Sequence, residues 1–253
     1  MMSNSPMVSY VELSPNNSGP RTEPISRITP HCYVGQVTVE RMGKSFIKPS
    51  KQKSANYGIG TDGRVGMYVD EGSRSWCSSS RYNDQRAVTI ECASDSKSPY
   101  TFNTVVYNTL VSLCVDICRR NGKTRLIWRK TRENTDSYNP APDEMVLSVH
   151  RWYSNKSCPG EWMFSRMDDL ANTVTSQLKD TGRVVPYLVR ISDSNTIIRA
   201  GAGSNTRIVR RYIDPGVYTI VQEKTGRGSL MWCKLKSGIG WVPIESTEFV
   251  RNV

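Results

Sequence analysis

The chain has 253 residues, of which 37% are hydrophobic and 23% are charged, and its formal net charge is +11. A chain of this length and composition can bury a hydrophobic core without disulfides or structural metals, which excludes a disordered protein and a small disulfide scaffold. The charge favours a polyanionic partner, such as nucleic acid, an anionic membrane or an anionic cell wall. A solvated basic surface is an equal alternative, because the lysines and arginines are scattered.

The cysteine count and the lengths of the apolar runs indicate the compartment in which the chain is made. Seven cysteines are an odd number, which argues against a complete disulfide framework and suits a reducing compartment. No run approaches 18 apolar residues, so we expect no membrane insertion. The first residues lack a basic region followed by an apolar stretch, so we expect no signal peptide.

The N-terminal part predicts an arm followed by short strands. Residues 1–27 are rich in Ser, Asn and Pro and predict an extended arm or loop over the first domain. Residues 28–34 predict a strand end that presents His31 at the edge of a sheet. Residues 56–69 predict a hairpin, because Thr61-Asp62-Gly63 is a strong turn signal.

A polar loop and a strand follow the hairpin. Residues 73–84 predict a loop whose Trp76 either covers a cleft or packs at its edge. Residues 87–93 predict a central strand that carries Glu91 in an otherwise apolar setting. Charges are seldom buried unpaired. Glu91 is therefore either the partner of an arginine in a structural ion pair or a general acid or base beside a metal.

The middle of the chain alternates helices and strands. Apolar spacing predicts amphipathic helices over 104–120 and 162–178. Strands are predicted at 126–128 and at 146–150, where the second would deliver His150, and a surface loop is predicted over 130–143. This alternation predicts an α/β domain, a mixed β-sheet flanked by helices.

The residue pattern of the sequence changes after the polar boundary at 179–183. From residue 184 onward, short β-branched runs alternate with Gly- and Asp-rich turns, and no helical period appears. This pattern predicts a small all-β barrel. We therefore expect two domains, over residues 1–180 and 186–253.

Residues 150–160 combine three kinds of chemical group. His150 offers an imidazole, Cys158 a thiolate and Lys156 a nearby cation. Zinc takes nitrogen and sulfur ligands, and a catalytic zinc has three protein ligands and one open position. The only other histidine is His31, which makes it the expected third ligand. Taken singly, a buried cysteine is also typical of an ordinary core residue.

Two segments resemble known families. Residues 28–178 resemble zinc-dependent N-acetylmuramoyl-L-alanine amidases of the type 2 group, which are related to phage lysozyme amidases and peptidoglycan recognition proteins. Residues 186–253 resemble a bacterial SH3 domain. The segments that carry these resemblances are Ile28–His31, Asn56–Val65, Ala87–Glu91, His150–Gly160, Tyr187–Arg190, Ile198–Gly203 and Lys234–Val242.

The amidase resemblance implies a role for each matching residue. It implies that His31, His150 and Cys158 bind Zn²⁺, that Glu91 is the general base and that Lys156 stabilises the oxyanion. Two departures concern other positions. Cys32 stands where many relatives have a histidine, and Ala55 stands where some members have a catalytic tyrosine. We assign no catalytic role to Tyr57.

Together the resemblances imply a phage or prophage endolysin, or an autolysin, that cleaves the peptidoglycan of Gram-positive walls. Such an enzyme would be made in the host cytoplasm and reach the wall after holin-dependent release or lysis. The SH3-like domain would bind a wall component, with Tyr212, Tyr218 and Trp241 as exposed candidate contacts, or would only stabilise the chain. The oligomeric state stays open.

Two other functions compete with the amidase. A non-catalytic recognition protein would keep the groove and lose the chemistry, but such relatives typically lack the cysteine ligand that Cys158 supplies here. A nucleic-acid-binding protein is suggested by charge alone. The sequence shows no basic helix and no platform of stacking aromatics, so we expect no nucleic-acid partner.

Overall fold

The computed structural model describes residues 4–179 and 185–253. The chain divides into two compact units, Met1–Lys179 and Asp180–Val253. The predicted polar boundary at 179–183 lies almost entirely outside the described residues. Within the described ranges, no helix is long and apolar enough to cross a membrane.

A seven-stranded mixed sheet forms the centre of the first unit. Its order is β1-β5-β4-β7-β3-β9-β8, and neighbouring strands are parallel except for the antiparallel hairpin β4–β5. A separate antiparallel pair joins β2 and β6. The strands are β1 (Val8–Val11), β2 (Asn17–Pro20), β3 (Arg27–Val34), β4 (Tyr57–Ile59), β5 (Val65–Met67), β6 (Ser73–Ser75), β7 (Ala87–Ser94), β8 (Arg125–Ile127) and β9 (Glu144–Leu147).

Helices and the sheet enclose one hydrophobic core. The helices are α1 (Val39–Phe46), α2 (Arg81–Arg86), α3 (Thr104–Arg120), α4 (Arg132–Asp136), α5 (Glu161–Phe164) and α6 (Met167–Lys179). Helix α3 has the predicted bounds. The Asn103 side chain caps its N-terminus by accepting from the Val106 amide, and Gly122 follows its end with φ +66°, a left-handed conformation that glycine adopts without a steric penalty.

The predicted single helix over 162–178 is wrong, because two helices occupy this segment. Helix α5 ends at Phe164 and α6 begins at Met167. The Trp162 carbonyl accepts hydrogen bonds from the Ser165 hydroxyl and from the Arg166 guanidinium. Side chains thus satisfy a carbonyl that a continuous helix would satisfy with a backbone amide.

The prediction that His31 lies at a sheet edge is also wrong. Its strand, β3, runs between β7 and β9, and His31 is only 1% exposed. Nor does a strand deliver His150, because β9 ends at Leu147 and His150 begins a 3₁₀ turn. His150 therefore lies outside the sheet, in a tight turn shortly after the end of β9.

Three predicted loops contain regular structure. The N-terminal arm supplies β1, which pairs with β5, and β2, which pairs with β6. The loop predicted over 73–84 contains β6 and most of α2, and the loop over 130–143 contains α4. These elements are short, and pairing or packing with distant segments stabilises them more than local propensity does.

The second unit is a seven-stranded antiparallel sheet in the order β12-β11-β15-β14-β13-β10-β16. Its strands are β10 (Tyr187–Ile191), β11 (Ile198–Arg199), β12 (Ile208–Arg210), β13 (Gly216–Gly226), β14 (Ser229–Leu235), β15 (Trp241–Pro243) and β16 (Glu248–Asn252). A core of its own includes Tyr187, Val189, Ile220 and Leu235. The predicted all-β architecture is confirmed, whereas its assignment as an SH3 barrel stays a prediction.

The three aromatic side chains predicted as exposed contacts differ in their surroundings. Tyr212 is 58% exposed, Tyr218 is half-buried, and Trp241 is 9% exposed. Trp241 sits on β15, which pairs with both β11 and β14. The prediction that Trp241 is exposed is therefore wrong.

Candidate metal centre and active-site cleft

His31, His150 and Cys158 converge at one end of the mixed sheet. One ligand atom from each lies within 4.8 Å of the other two. The Cys158 Sγ is 3.3 Å from Nδ1 of His31, and the centroids of the two imidazole rings are 5.1 Å apart. The structure therefore brings together the three side chains that the sequence predicts as metal ligands.

A buried polar network sets the spacing of the two histidines. Thr29 and Ser148 stand two residues before His31 and His150, and their hydroxyl oxygens are 2.7 Å apart. The Asn83 amide of α2 links both hydroxyls, because its Nδ2 donates to Thr29 Oγ1 at 3.0 Å and its Oδ1 accepts from Ser148 Oγ at 2.8 Å. These hydrogen bonds join β3, α2 and the segment after β9.

The loop from His150 to Gly160 folds back on itself. The Arg151 amide donates to the Cys158 carbonyl at 3.0 Å, and its guanidinium donates to the Ser157 carbonyl at 2.6 Å. Gly160 has φ +84°, and a Cβ there would lie 2.7 Å from the Pro99 carbonyl oxygen. The closed loop returns Cys158 to His150, and glycine is required where it turns.

Burial favours the neutral form of each candidate ligand. Burial and the neighbouring His150 hold the pKa of His31 well below its usual value. Burial, with the cation of Lys156, lowers the pKa of His150 to about 4. Both imidazoles are thus neutral at pH 7, which is the form that binds metals. Burial raises the pKa of Cys158, so this thiol would lose its proton on binding a metal.

The donor set and its surroundings fit a zinc ion. Two imidazoles and one thiolate match catalytic zinc sites in number and type. The Nε2 of His150 lies 3.4 Å from the Ser79 hydroxyl, a contact that helps to orient the ring. The Nε2 of His31 is buried and has no hydrogen-bond partner among the described residues.

Glu91 lies beside this cluster on the neighbouring strand. In the parallel register of β3 and β7, His31 is directly opposite Glu91. Burial raises the pKa of Glu91 to about 7, against the opposing effect of the Lys53 cation. Among the described residues Glu91 forms no ion pair with an arginine. The alternative of a structural ion pair therefore lacks support.

An open cleft of about 290 Å³ reaches the cluster. Lys156 lines it together with Glu91 and His150, so the predicted oxyanion-stabilising residue shares this cavity. Trp76 also lines the cleft, and its indole donates to the Ser18 hydroxyl. The remaining lining residues are Phe46, Gln52, Lys53, Ser54, Arg74, Cys77, Ser79 and Asp84.

The structure also shows the surroundings of Tyr57 and Cys32, which were not predicted as site residues. The Tyr57 hydroxyl is buried, donates to Glu71 Oε2 at 2.8 Å and accepts from the Ser5 amide. It therefore serves the packing of the N-terminal arm, in agreement with the absence of an assigned catalytic role. Cys32 is half-buried and is one of the neighbours that raise the pKa of Cys158, after burial itself.

Sequence reasoning missed Asn83 and Cys77. Asn83 links β3 with the segment after β9, which carry the two histidines, and the Cys77 thiol lies 3.8 Å from the Glu91 carboxylate. One signal was available for the network, since a hydroxyl residue stands two positions before each histidine. No local pattern marks Cys77, because it reaches the site only through the fold.

A cluster of two histidines and one cysteine, one of which lines an open cleft, has the ligand composition of a catalytic metal centre. The family model for N-acetylmuramoyl-L-alanine amidase matches residues 21–161. This match covers more than half of the chain and contains all three candidate ligands, Glu91 and Lys156. The chain therefore belongs to the N-acetylmuramoyl-L-alanine amidase family.

Similar solved structures accompany this match. The structure of PlyL is 17% identical, with 69% of this chain and 98% of that chain covered and a TM-score of 0.48. A mutant endolysin from Bacillus subtilis is 12% identical (65% and 97% covered, TM-score 0.46). Human PGRP-IBETAC in complex with glycosamyl muramyl pentapeptide is 16% identical (60% and 87% covered, TM-score 0.44). No curated protein matches the sequence.

Proposed function

We propose that the chain hydrolyses the amide bond between the lactyl group of N-acetylmuramic acid and L-alanine of the peptidoglycan stem peptide. The observation that carries this proposal is the cluster of His31, His150 and Cys158, whose His150 lines an open cleft together with Glu91 and Lys156. The family match supports the choice of bond. Zinc is the proposed cofactor.

His31, His150 and Cys158 would hold the ion. Zn²⁺ bound there would polarise the scissile carbonyl and acidify the attacking water. Because the two imidazoles are neutral and only one ligand is a thiolate, the ion would keep a net positive charge. The burial of His31 would orient its ring and exclude water from that side of the ion.

Glu91 and Lys156 would divide the proton transfer and the charge stabilisation. The Glu91 carboxylate would accept a proton from the attacking water and deliver it to the leaving nitrogen, a role typically worth about 10²–10⁴-fold in rate. The Lys156 ammonium would lie where negative charge develops on the carbonyl oxygen. Preorganised cations at such positions stabilise the transition state more than the substrate.

The same proposal assigns a role to each unit. Residues 1–180 would be the catalytic domain, and residues 186–253 would be an SH3-like domain that binds a wall component and raises the local enzyme concentration. The alternative for the second unit is a stabilising appendage. The biological role would be that of a phage or prophage endolysin, or an autolysin, that is made in the cytoplasm and acts on Gram-positive walls.

The test is to digest purified Gram-positive walls with the full chain and to identify the new ends by mass. The proposal expects free lactyl groups and L-alanine amino termini, lost with a chelator and restored by Zn²⁺. Glu91→Gln should retain the metal and lose most of the cleavage. Reducing sugar ends, or new amino termini within the stem or crossbridge, would identify a different hydrolase, and wall binding without release would identify a recognition protein.

A further inference from the structure

Cys77, which has no role in the proposed reaction, forms a second group of metal-binding side chains with His31 and Glu91. One ligand atom each from His31, Cys77 and Glu91 lie within 4.8 Å of one another. Glu91 Oε1 is 3.8 Å from the Cys77 Sγ. The parallel register places His31 and Glu91 directly opposite on neighbouring strands, so both side chains emerge on the same face of the sheet.

The loop that carries Cys77 is fixed in place. The Cys77 amide donates to Asp84 Oδ2 at 3.1 Å. The Ser78 hydroxyl donates to Asp84 Oδ1 at 2.6 Å and accepts from the Asn83 amide at 3.2 Å. Asn83 and Asp84 belong to α2, so this helix holds the loop against β3 and β7. The thiol is therefore preorganised beside Glu91, as a ligand must be to bind without rearrangement.

Two buried polar atoms in this group have no hydrogen-bond partner among the described residues. They are Nε2 of His31 and Oε2 of Glu91, and His31 as a whole is only 1% exposed. Nearly all buried polar atoms in proteins are hydrogen-bonded, so two such atoms in one group point to an absent partner. A cation would satisfy the Glu91 oxygen, and also the His31 nitrogen once that nitrogen has lost its proton.

We propose that His31, Cys77 and Glu91 form a second cation site, selective for a thiophilic divalent ion such as Zn²⁺ or Cd²⁺. An imidazole, a thiolate and a carboxylate are all zinc ligands, and the thiolate disfavours Mg²⁺ and Ca²⁺. His31 is common to both groups, so with both ions bound its ring would have to bridge them as an imidazolate, with one nitrogen to each ion. Binding of the second ion would release to solvent the remaining ring proton of His31 and the thiol proton of Cys77, and that of Glu91 where this carboxyl is protonated.

This second ion would occupy the carboxylate that the proposed reaction uses as its base. Excess zinc would therefore inhibit hydrolysis, while the first equivalent activates it. That consequence rests on the proposed function. The binding site itself rests only on the arrangement of the three side chains, so it is tested by metal content without any turnover.

The experiment measures bound zinc per chain by equilibrium dialysis of the full-length protein over a range of free Zn²⁺. Wild type should bind two ions in two steps, and Cys77→Ala should bind one. The second step should weaken by at least about tenfold, the lower end of the loss seen when even an outer-shell partner of a metal is removed. Cys32→Ala is the matched control, because Cys32 is also half-buried and near the cluster, and it should bind two ions.

His150→Ala separates the second site from the first. It removes a ligand of the first group only, so it should bind one ion, which the double variant His150→Ala/Cys77→Ala should lose. Titration with Cd²⁺, followed by thiolate-to-metal absorbance, should show a second rise in wild type that Cys77→Ser lacks. A single zinc ion in wild type, or a second ion that survives Cys77→Ala, would overturn the site. Wild type without any bound ion would overturn both this site and the proposed zinc centre.

Discussion

Lys156 occupies the cleft without being a ligand of the candidate metal centre. It lines the cavity with Glu91 and His150, and its cation contributes to the lowered pKa of His150. In the proposed reaction its ammonium would stabilise the charge that develops on the carbonyl oxygen, without binding the metal. Its two effects can therefore be separated by experiment.

We expect Lys156→Ala to reduce turnover by about 10²–10³-fold, the range reported for losing one group that stabilises an oxyanion. Zinc content, measured on the same preparation, should stay at the wild-type level. His150→Ala is the control, because it should lower both zinc content at the first site and turnover. Loss of zinc from Lys156→Ala would show that the lysine supports the metal and would refute its assigned role.

Glu144 links protein stability to pH at a distance from the cleft. Its carboxylate accepts hydrogen bonds from the Tyr138 hydroxyl at 2.6 Å, the Ala141 amide at 2.9 Å and the Arg125 guanidinium at 2.6 Å. The Tyr138 hydrogen bond, followed by that of Ala141, lowers the pKa of Glu144. A carboxyl whose pKa is lower in the folded state stabilises the fold above its unfolded pKa, and this contribution is lost as the pH falls through the folded pKa.

Glu144→Gln should therefore lower the free energy of unfolding at pH 7 by about 1.5–3 kcal/mol, the usual range for hydrogen bonds to a charged group. The difference between wild type and variant should shrink as the pH falls below about 4.3, the ordinary pKa of glutamate. Urea unfolding at several pH values measures both free energies. A difference that stays constant down to acidic pH would contradict the proposed linkage.

The hydrogen bonds of Asn83 connect three elements, and their loss should affect the metal centre. Asn83→Ala leaves the buried hydroxyls of Thr29 and Ser148 without their amide partner. We expect the free energy of unfolding to fall by about 1–3 kcal/mol, the penalty for an unsatisfied buried polar group. Zinc affinity should fall as well, because Thr29 and Ser148 precede the two histidine ligands.

Chemical denaturation and zinc dialysis measure the two effects of Asn83→Ala. Asn134→Ala is the matched control, because Asn134 is exposed on α4, and surface substitutions usually change stability by less than about 0.5 kcal/mol. Weaker zinc binding without a change in stability would place Asn83 nearer to the metal than the structure does. Unchanged zinc affinity would show that the network does not position the histidines.

Local patterns predicted the long elements of the fold, whereas pairing partners required the structure. Helix α3 follows directly from its apolar spacing. His31 appeared to lie at a sheet edge because nothing in residues 28–34 reveals that β7 and β9 flank the strand. The break between α5 and α6 depends on side chains that compete for the Trp162 carbonyl, which apolar spacing does not record.

Some residues of the candidate site were likewise predictable from the sequence, and others only from the structure. Residue type and spacing predicted His150, Lys156 and Cys158, because few short segments combine an imidazole, an ammonium group and a thiol. His31 followed because it is the only other histidine. Glu91 was noticed as a carboxylate in an apolar strand. Cys77 resembled any other loop cysteine, because its neighbours in the fold, Glu91 and His31, are distant in the sequence.

Each unit of the molecule has its own hydrophobic core. The core of the first unit joins the mixed sheet and its helices, and the core of the second lies within residues 187–242. The family match ends at residue 161 and does not extend into the second unit. The proposed catalysis and the proposed wall attachment would therefore be separable properties, and the net charge of +11 offers a physical basis for attraction to anionic walls.

A shortened chain, Met1–Lys179, should cleave a soluble muramyl peptide at the rate of the full chain, because every proposed site residue lies within it. Its affinity for intact walls, measured by co-sedimentation, should fall by about 10²-fold or more if the second unit supplies a separate attachment point. Added salt should weaken the binding of the full chain, because exposed charges are screened within about 8 Å at physiological ionic strength. If the shortened chain sediments as well as the full chain, the second unit does not bind walls and is better described as a stabilising appendage. If salt has no effect while the second unit is required, attachment depends on specific contacts, for which the exposed Tyr212 is the first side chain to replace.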